Sequence, residues 1–389
     1  MGIQCLTDPL AAAALIDAYF SSAYSLLPAL DEAHFRSRDP IVKSSDDGWL
    51  GLRNVVLAIG SFSCSMSNPR VHFAYFAQSL KHIGRTASLE TVQALLMLGG
   101  QYLIYIDQHN MAGLLLHKAT EMAESIGPKK KDWGNEEKLP AAWRCTIRCL
   151  SSLDQDQATQ SVSSPATQAE GTWRMRLANT IRCQMRVNSS NFLCEPLDVF
   201  MTFCHFFAQV HKANKQSQET SGHHYWELDQ KLTHICDRLR SSISSSLCQG
   251  PSNVSLCIMK WRFMSLRMLL HWPLLRAAAV GNERGVGLNG TAKDAAKFCR
   301  QLSAELVDDI EREWIPSQIC TWMAARILHQ VAEVATLICT SERDEWPFAQ
   351  RQHQMTRIFV IVSNMADCSW RAREIEEEVG VLFDRYWAT

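Results

Sequence analysis

The chain has 389 residues, with 39 basic and 40 acidic side chains and a net charge of −1. That balance excludes a protein drawn to nucleic acid or to an anionic membrane by its overall field, and chains above about 300 residues bury about 75% of their surface, so a large core is available. Fourteen cysteines, scattered through apolar runs, read as reduced core thiols and not as a disulfide framework, which points to cytosol or nucleus.

The opening MGIQCLTDPLAAAALIDAYF has an apolar run without a basic region ahead of it, and Asp8, Pro9 and Asp17 interrupt it. The expectation is no secretion signal. Gly2 stands in an acylation context, but Leu6 occupies the place where the motif needs Ser or Thr. No stretch reaches the run of about 18 apolar residues that a spanning helix needs, so no membrane partner is expected.

Residues 9–35 begin as a helix and break at Pro28, after which 49–62 and 71–83 carry buried and amphipathic helical patterns. Ser88 to Gly127 is the most informative stretch. Ser88 followed by Glu90 and Gln93 is a helix start, with a hydroxyl cap and acid or amide in the first turn. Val92, Leu95, Leu96, Leu98, Leu103 and Ile106 recur at spacings of three and four, and a second pattern from Met111 closes on Gly127-Pro128. The stretch predicts an αα-hairpin with a polar tip at Tyr105, Asp107 and His109.

Beyond it lie the charged segment PKKKDWGNEEK and helices over 139–153, 173–187, 196–213 and 225–239. A long apolar helix from Val254 is expected to end or kink at Pro273. Helices over 291–314, 316–341, 349–363 and 370–387 complete the chain. No period-two run appears, so the reading is all-α, one large domain over 1–389 with roughly a dozen helices. Exposed polar loops are expected near 154–172, 214–224 and 281–290, where large apolar side chains are scarce.

Several of these segments share an order. Tyr19-Phe20, then Leu27-Pro28-Ala29-Leu30 and Phe35, precede the hairpin's Ser88-x-Glu-Thr-Val-Gln-Ala-Leu-Leu96 and Ala119-x-x-Met-Ala-x-x-x-Gly127; Arg267-Met-Leu-Leu-His-Trp-Pro-Leu-Leu275 follows. This succession resembles the middle homology region of fungal zinc-cluster transcription factors, the fungal-specific transcription factor domain, over nearly the whole chain. The resemblance implies a helical regulatory fold. Two departures stand out. The family's binuclear zinc cluster needs paired Cys-x-x-Cys spacings, and this chain contains none; Cys145 and Cys149 are one helical turn apart without two further nearby ligands. The family's arginine-rich segment is represented only by Trp143, Asp154 and Pro165. Direct DNA contact is therefore not expected.

No phosphate loop, nucleophile elbow or zincin motif is present, and GVGLNG at 285–290 lies in a polar connector. No metal and no cofactor is expected. His223-His224 and Lys129-Lys130-Lys131 read as solvated surface. What remains is polar and aromatic material inside apolar helices, most simply satisfied core groups, which together could line an apolar small-molecule pocket. As catalytic candidates we take His205, His271 and Tyr105; as substrate-binding candidates Tyr102, His109, Phe203, Phe206, Trp272, Trp322 and His329, the last two sharing a helix face with Arg326. These lean toward a cofactor-independent cyclase of fungal specialised metabolism, of Diels-Alderase type, folding a hydrophobic terpenoid or polyketide into a near-attack conformer with one His or Tyr on a carbonyl. The alternative is a regulator that binds an effector or a partner protein without contacting DNA. A cytoplasmic location is expected for the first and a nuclear one is open to the second.

Overall fold

The structure, a computed structural model, describes residues 9–38, 46–64, 71–133, 135, 138–154, 196–215, 222–245, 252–283, 290–341 and 346–386. Among these residues the fold is all-α, without strands. The predicted helix over 173–187 and most of the polar loop near 154–172 lie outside the described residues. The chain divides into two compact units, Met1–Gln209 and Val210–Thr389.

The first unit contains α1 (Pro9–Ala18), α2 (Glu32–Arg38), α3 (Asp47–Ser63), α4 (Val71–His82), α5 (Leu89–Met97), the short α6 (Leu103–Tyr105), α7 (His109–Ile126), α8 (Ala141–Asp154) and most of α9 (Pro196–Lys215). The expected break at Pro28 is present: Tyr19–Ala23 and Tyr24–Leu26 form a π turn and a 3-10 turn ahead of it. Phe35 closes an aromatic cluster there, 5.7 Å from Phe20 and 4.8 Å from Trp49. The helix α3 is its spine. Gly60 lets α1 approach, because a Cβ there would lie 2.0 Å from the Leu15 carbonyl oxygen.

The Ser88 cap forms as expected, its Oγ accepting from Thr91 N at 3.2 Å. The first arm of the hairpin differs from a plain helix. Leu98–Tyr102 is a π turn between α5 and α6, placed where Gly99 brings α7 so close that a Cβ would meet the Ala112 carbonyl at 2.7 Å. Such a bulge re-aims the residues that follow it. Asp107, at φ 60°, makes the turn into α7. In the charged segment Trp133 is buried and donates its indole N–H to the Pro128 carbonyl at 3.0 Å.

The second unit contains the end of α9, then α10 (Gly222–Ser245), α11 (Ser252–Glu283), α12 (Gly290–Glu313), α13 (Gln318–Ser341), α14 (Phe348–Ala366) and α15 (Trp370–Tyr386). Helices run further into the expected polar loops than composition suggested, to Lys215 and from Gly222, and to Glu283 and from Gly290. The helix α11 is central, packing against α10, α12 and α13. Ser265 donates to Gln330 Oε1 at 2.5 Å and Gln330 donates back to the Ser265 carbonyl at 3.1 Å, joining α11 to α13.

Pro273 does not end α11, which runs through it. A proline lacks the N–H that would bond the carbonyl four residues earlier. That carbonyl, on Leu269, instead accepts from Asn214 Nδ2 of α9 at 2.8 Å. The freed acceptor is thus satisfied by a side chain from a neighbouring helix.

Asn214→Leu should destabilise the second unit by about 1–2 kcal/mol, the cost of an unmet buried acceptor. In a Pro273→Ala background, where residue 273 regains its N–H, the same change should cost much less. Urea unfolding followed by circular dichroism measures both.

Candidate functional site

The most chemically loaded cluster in the second unit forms where α10, α11 and α12 meet. Arg267 and His271 are four residues apart on α11 and share a face. Trp226 and Asp229 come from α10, and Phe298 comes from α12. Arg267 donates Nε to Asp229 Oδ1 at 2.9 Å and Nη2 to Oδ2 at 3.0 Å, a two-pronged buried pair. Its guanidinium also lies 5.0 Å from the Phe298 ring centre. Asp229 and Arg267 are both buried.

His271 is wholly buried. Its ring lies 4.7 Å from Trp226 and 4.9 Å from Phe298, and its Nε2 is 3.9 Å from Asp229 Oδ1, beyond hydrogen-bond length. Neither ring nitrogen has a hydrogen-bond partner among the described residues. Burial pushes the imidazole pKa down to about 4, with Asp229 opposing and Arg267 adding to the shift. His271 is therefore a neutral, desolvated base beside a carboxylate already claimed by a guanidinium. Burial raises the nearby thiols, Cys236 to about 12 and Cys299 further, so neither is a thiolate nucleophile near neutral pH. Trp272, next along α11, is half-buried.

A second buried charge cluster lies further up α11. Lys260 is 1% exposed, with Nζ at 2.7 and 2.6 Å from the two Glu313 oxygens and 2.9 Å from Asp309 Oδ2. Trp261 adds an indole N–H to Glu313 at 3.2 Å. This is a buried ion network, fitted to hold α12 on α11.

Six predicted site residues fall in the first unit. Tyr102 is fully buried, its hydroxyl 2.9 Å from His72 Nδ1 and its ring 4.9 Å from Phe76; burial raises its pKa. Tyr105 is stacked on Phe62 at 5.7 Å and accepts from Gln101 Nε2 at 3.0 Å. The same amide donates to the Ala23 carbonyl at 2.8 Å. His109 reaches Asp107 at 2.6 Å across the hairpin turn. On α9, Phe203 and Phe206 are buried. His205 is half-buried, accepts at Nε2 from the Gln209 amide, and has its pKa lowered by burial. The structure thus brings Tyr102 and Tyr105 together on one hairpin arm, and Phe203, His205 and Phe206 on one helix.

Four fall in the second unit: His271, Trp272, Trp322 and His329. Trp322 is half-buried on α13, and the buried His329 places Nε2 3.4 Å from Glu378 Oε2 on α15. Sequence reading missed Asp229, Arg267, Lys260, Asp309 and Glu313. The signal available was the pair of cations Lys260 and Arg267, seven apart inside the apolar run WRFMSLRMLL and its flank, which a buried helix carries only if acids meet them.

One concavity open to solvent is of a different kind. A groove of about 500 Å³ runs against α12 and α14, lined by Arg300, Val307, Trp346, His353 and Gln354 among others; a neighbouring hollow of about 380 Å³ shares His353 and Arg357 with it. None of the ten predicted site residues lines either. No family model, curated protein or solved structure matches the chain.

The depressed pKa of His271 carries a sign. Between about 6.5, the ordinary imidazole value, and about 4, the unfolded chain binds a proton that the folded chain refuses. Stability contributed by the neutral ring is full above that window and is lost as pH falls through it, by about 3 kcal/mol in total. His271→Phe should flatten this part of the stability–pH profile, measured by urea unfolding from pH 7.5 to 4.

Proposed function

We propose that the chain is a regulatory helical domain of the fungal zinc-cluster transcription factor type, which does not contact DNA itself and acts by binding a small effector or a partner protein. The observation that carries this reading is how its polar side chains are spent. Tyr102 is held by His72 and Tyr105 by Gln101, while Asp229 is held by Arg267 and Glu313 by Lys260. These groups hold helices in register inside each unit, while the open groove against α12 and α14 offers an aromatic wall and a guanidinium. A surface of that kind recognises a ligand and presents no paired nucleophile and base. The order of the sequence motifs supports the family reading, and the near-zero net charge supports a function away from the phosphate backbone.

A cofactor-free cyclase of specialised metabolism is the second reading, and His271 is what favours it. A neutral imidazole between Trp226 and Phe298, with both nitrogens unclaimed among the described residues, is a hydrogen-bonding group in apolar surroundings, as a carbonyl-polarising catalyst requires.

Deleting the gene in its host separates the two. Under the regulatory reading, transcripts of the genes it governs fall and their products disappear together without an accumulating precursor. Unchanged transcripts with a new accumulated intermediate would replace that reading with the cyclase.

A further inference from the structure

The groove against α12 and α14 is lined by two side chains whose unmet hydrogen bonds specify a ligand. Its apolar surface comes from Ala304 and Val307 on α12, from Trp346 just before α14 and from Ala349 in its first turn. Arg300 and Gln354 stand in its lining. Arg300 Nη1 and Gln354 Nε2 are both buried nitrogens without a hydrogen-bond partner among the described residues. The Arg300 guanidinium lies 5.9 Å from the Trp346 ring centre. Arg357, the other guanidinium of the lining, is already committed, to Asp308 at 2.5 Å and to Glu311 at 2.9 Å.

Both unmet atoms are donors, so the missing partner is an acceptor, and beside a guanidinium an anionic acceptor is favoured. Two carboxylates already neutralise Arg357, which leaves Arg300 as the arginine with charge to offer; the fitting ligand is a monoanion and not a dianionic phosphate. The remaining surface is apolar and includes an indole, which calls for a hydrocarbon or aromatic body. The volume is within the range of about 300–1,000 Å³ usual for small-molecule sites.

We propose that this groove binds a small amphipathic carboxylate, with its carboxylate on Arg300 and its apolar body along Ala304, Val307 and Trp346. The inference rests on the regulatory reading for its purpose, since it names the effector class, but not for its chemistry.

The test is calorimetric titration of the full chain with 2-naphthoate and with octanoate, a rigid and a flexible body carrying the same head. Naphthalene-2-methanol and 2-naphthylmethylamine serve as neutral and cationic controls. Saturable one-site binding of at least one carboxylate is expected, with neither control binding. Arg300→Gln should weaken it by about tenfold or more, the worth of a hydrogen bond to a charged group. Ala304→Trp, at an exposed position in the lining, should block it. Circular dichroism spectra and unfolding midpoints of the variants establish that they fold, and Arg300→Met is the substitute should Arg300→Gln not fold. Absence of binding by both carboxylates overturns the proposal, as does binding that neither variant alters, or binding shared by the neutral control. Failure here with transcripts still lost on gene deletion removes the site and leaves the regulatory reading standing. Carboxylate binding in a chain whose deletion leaves transcripts unchanged keeps the site and removes the regulator.

Discussion

The second unit depends on two cations placed inside one apolar helix. Lys260 and Arg267 are seven residues apart on α11, and each is desolvated by the helices around it. A buried charge left alone costs several kcal/mol, and removing one partner of such a pair costs about 3–5 kcal/mol. The acids that answer them come from different helices: Asp229 from α10, and Asp309 and Glu313 from α12. Only one register of α10 and one of α12 against α11 satisfies both cations. Hydrophobic burial supplies most of the stabilising free energy but is indifferent to small slides and rotations, so the ion pairs act chiefly on the choice of arrangement. His271 follows from this. It stands one turn beyond Arg267 with Nε2 3.9 Å from the same carboxylate, and neither ring nitrogen is bonded among the described residues.

In the first unit, neutral hydrogen bonds and close backbone approach share this task with the Arg38 pairs to Asp46 and Glu90. Gly60 brings α1 against α3, and Gly99 brings α7 against the π turn. The turn places Gln101, Tyr102 and Tyr105 where each finds a partner inside the core. Removing the Cβ at those glycines costs helix propensity, about 1 kcal/mol for each relative to alanine, and the interhelical contact it permits offsets that cost. The hairpin tip, marked by Asp107 at positive φ and its contact to His109, is a turn device before it is anything else.

Function on this reading follows from which polar groups the fold leaves uncommitted. Tyr102, Tyr105 and the buried ions of α11 are closed on partners inside their own units. Among the exceptions in the described residues of the second unit, two differ in kind: His271, sealed between aromatic rings, and Arg300 with Gln354, which line an open groove beside Trp346. A sealed imidazole affects stability and its pH dependence, whereas side chains lining an open groove can meet a ligand from solvent once their buried nitrogens turn toward it. That difference in access, and not residue type, separates a core group from a binding group.

Much of the secondary structure is legible in the chain itself. The all-α class, the Ser88 cap, the hairpin ending at Gly127, the break at Pro28 and the terminal helices follow from local periodicity and from capping groups a few residues apart, which interact over one turn whatever the rest of the chain does. The passage of α11 through Pro273 was not legible, because the acceptor that Pro273 leaves unmet is satisfied by Asn214, fifty-five residues from Leu269. The candidate site was legible only in its types. His271 could be singled out as a polar residue in an apolar run, but its aromatic walls and the claimed state of Asp229 depend on helices far away in sequence. The same holds for Arg300, indistinguishable in the sequence from other arginines on amphipathic helices. Sequence alone determined the all-α class, the Ser88 cap and the cores of most described helices, since those depend on neighbours three and four residues apart. Tertiary structure alone decided which charges are paired and which buried donors are left unmet, since desolvation and pairing are set by side chains that meet only after the helices dock.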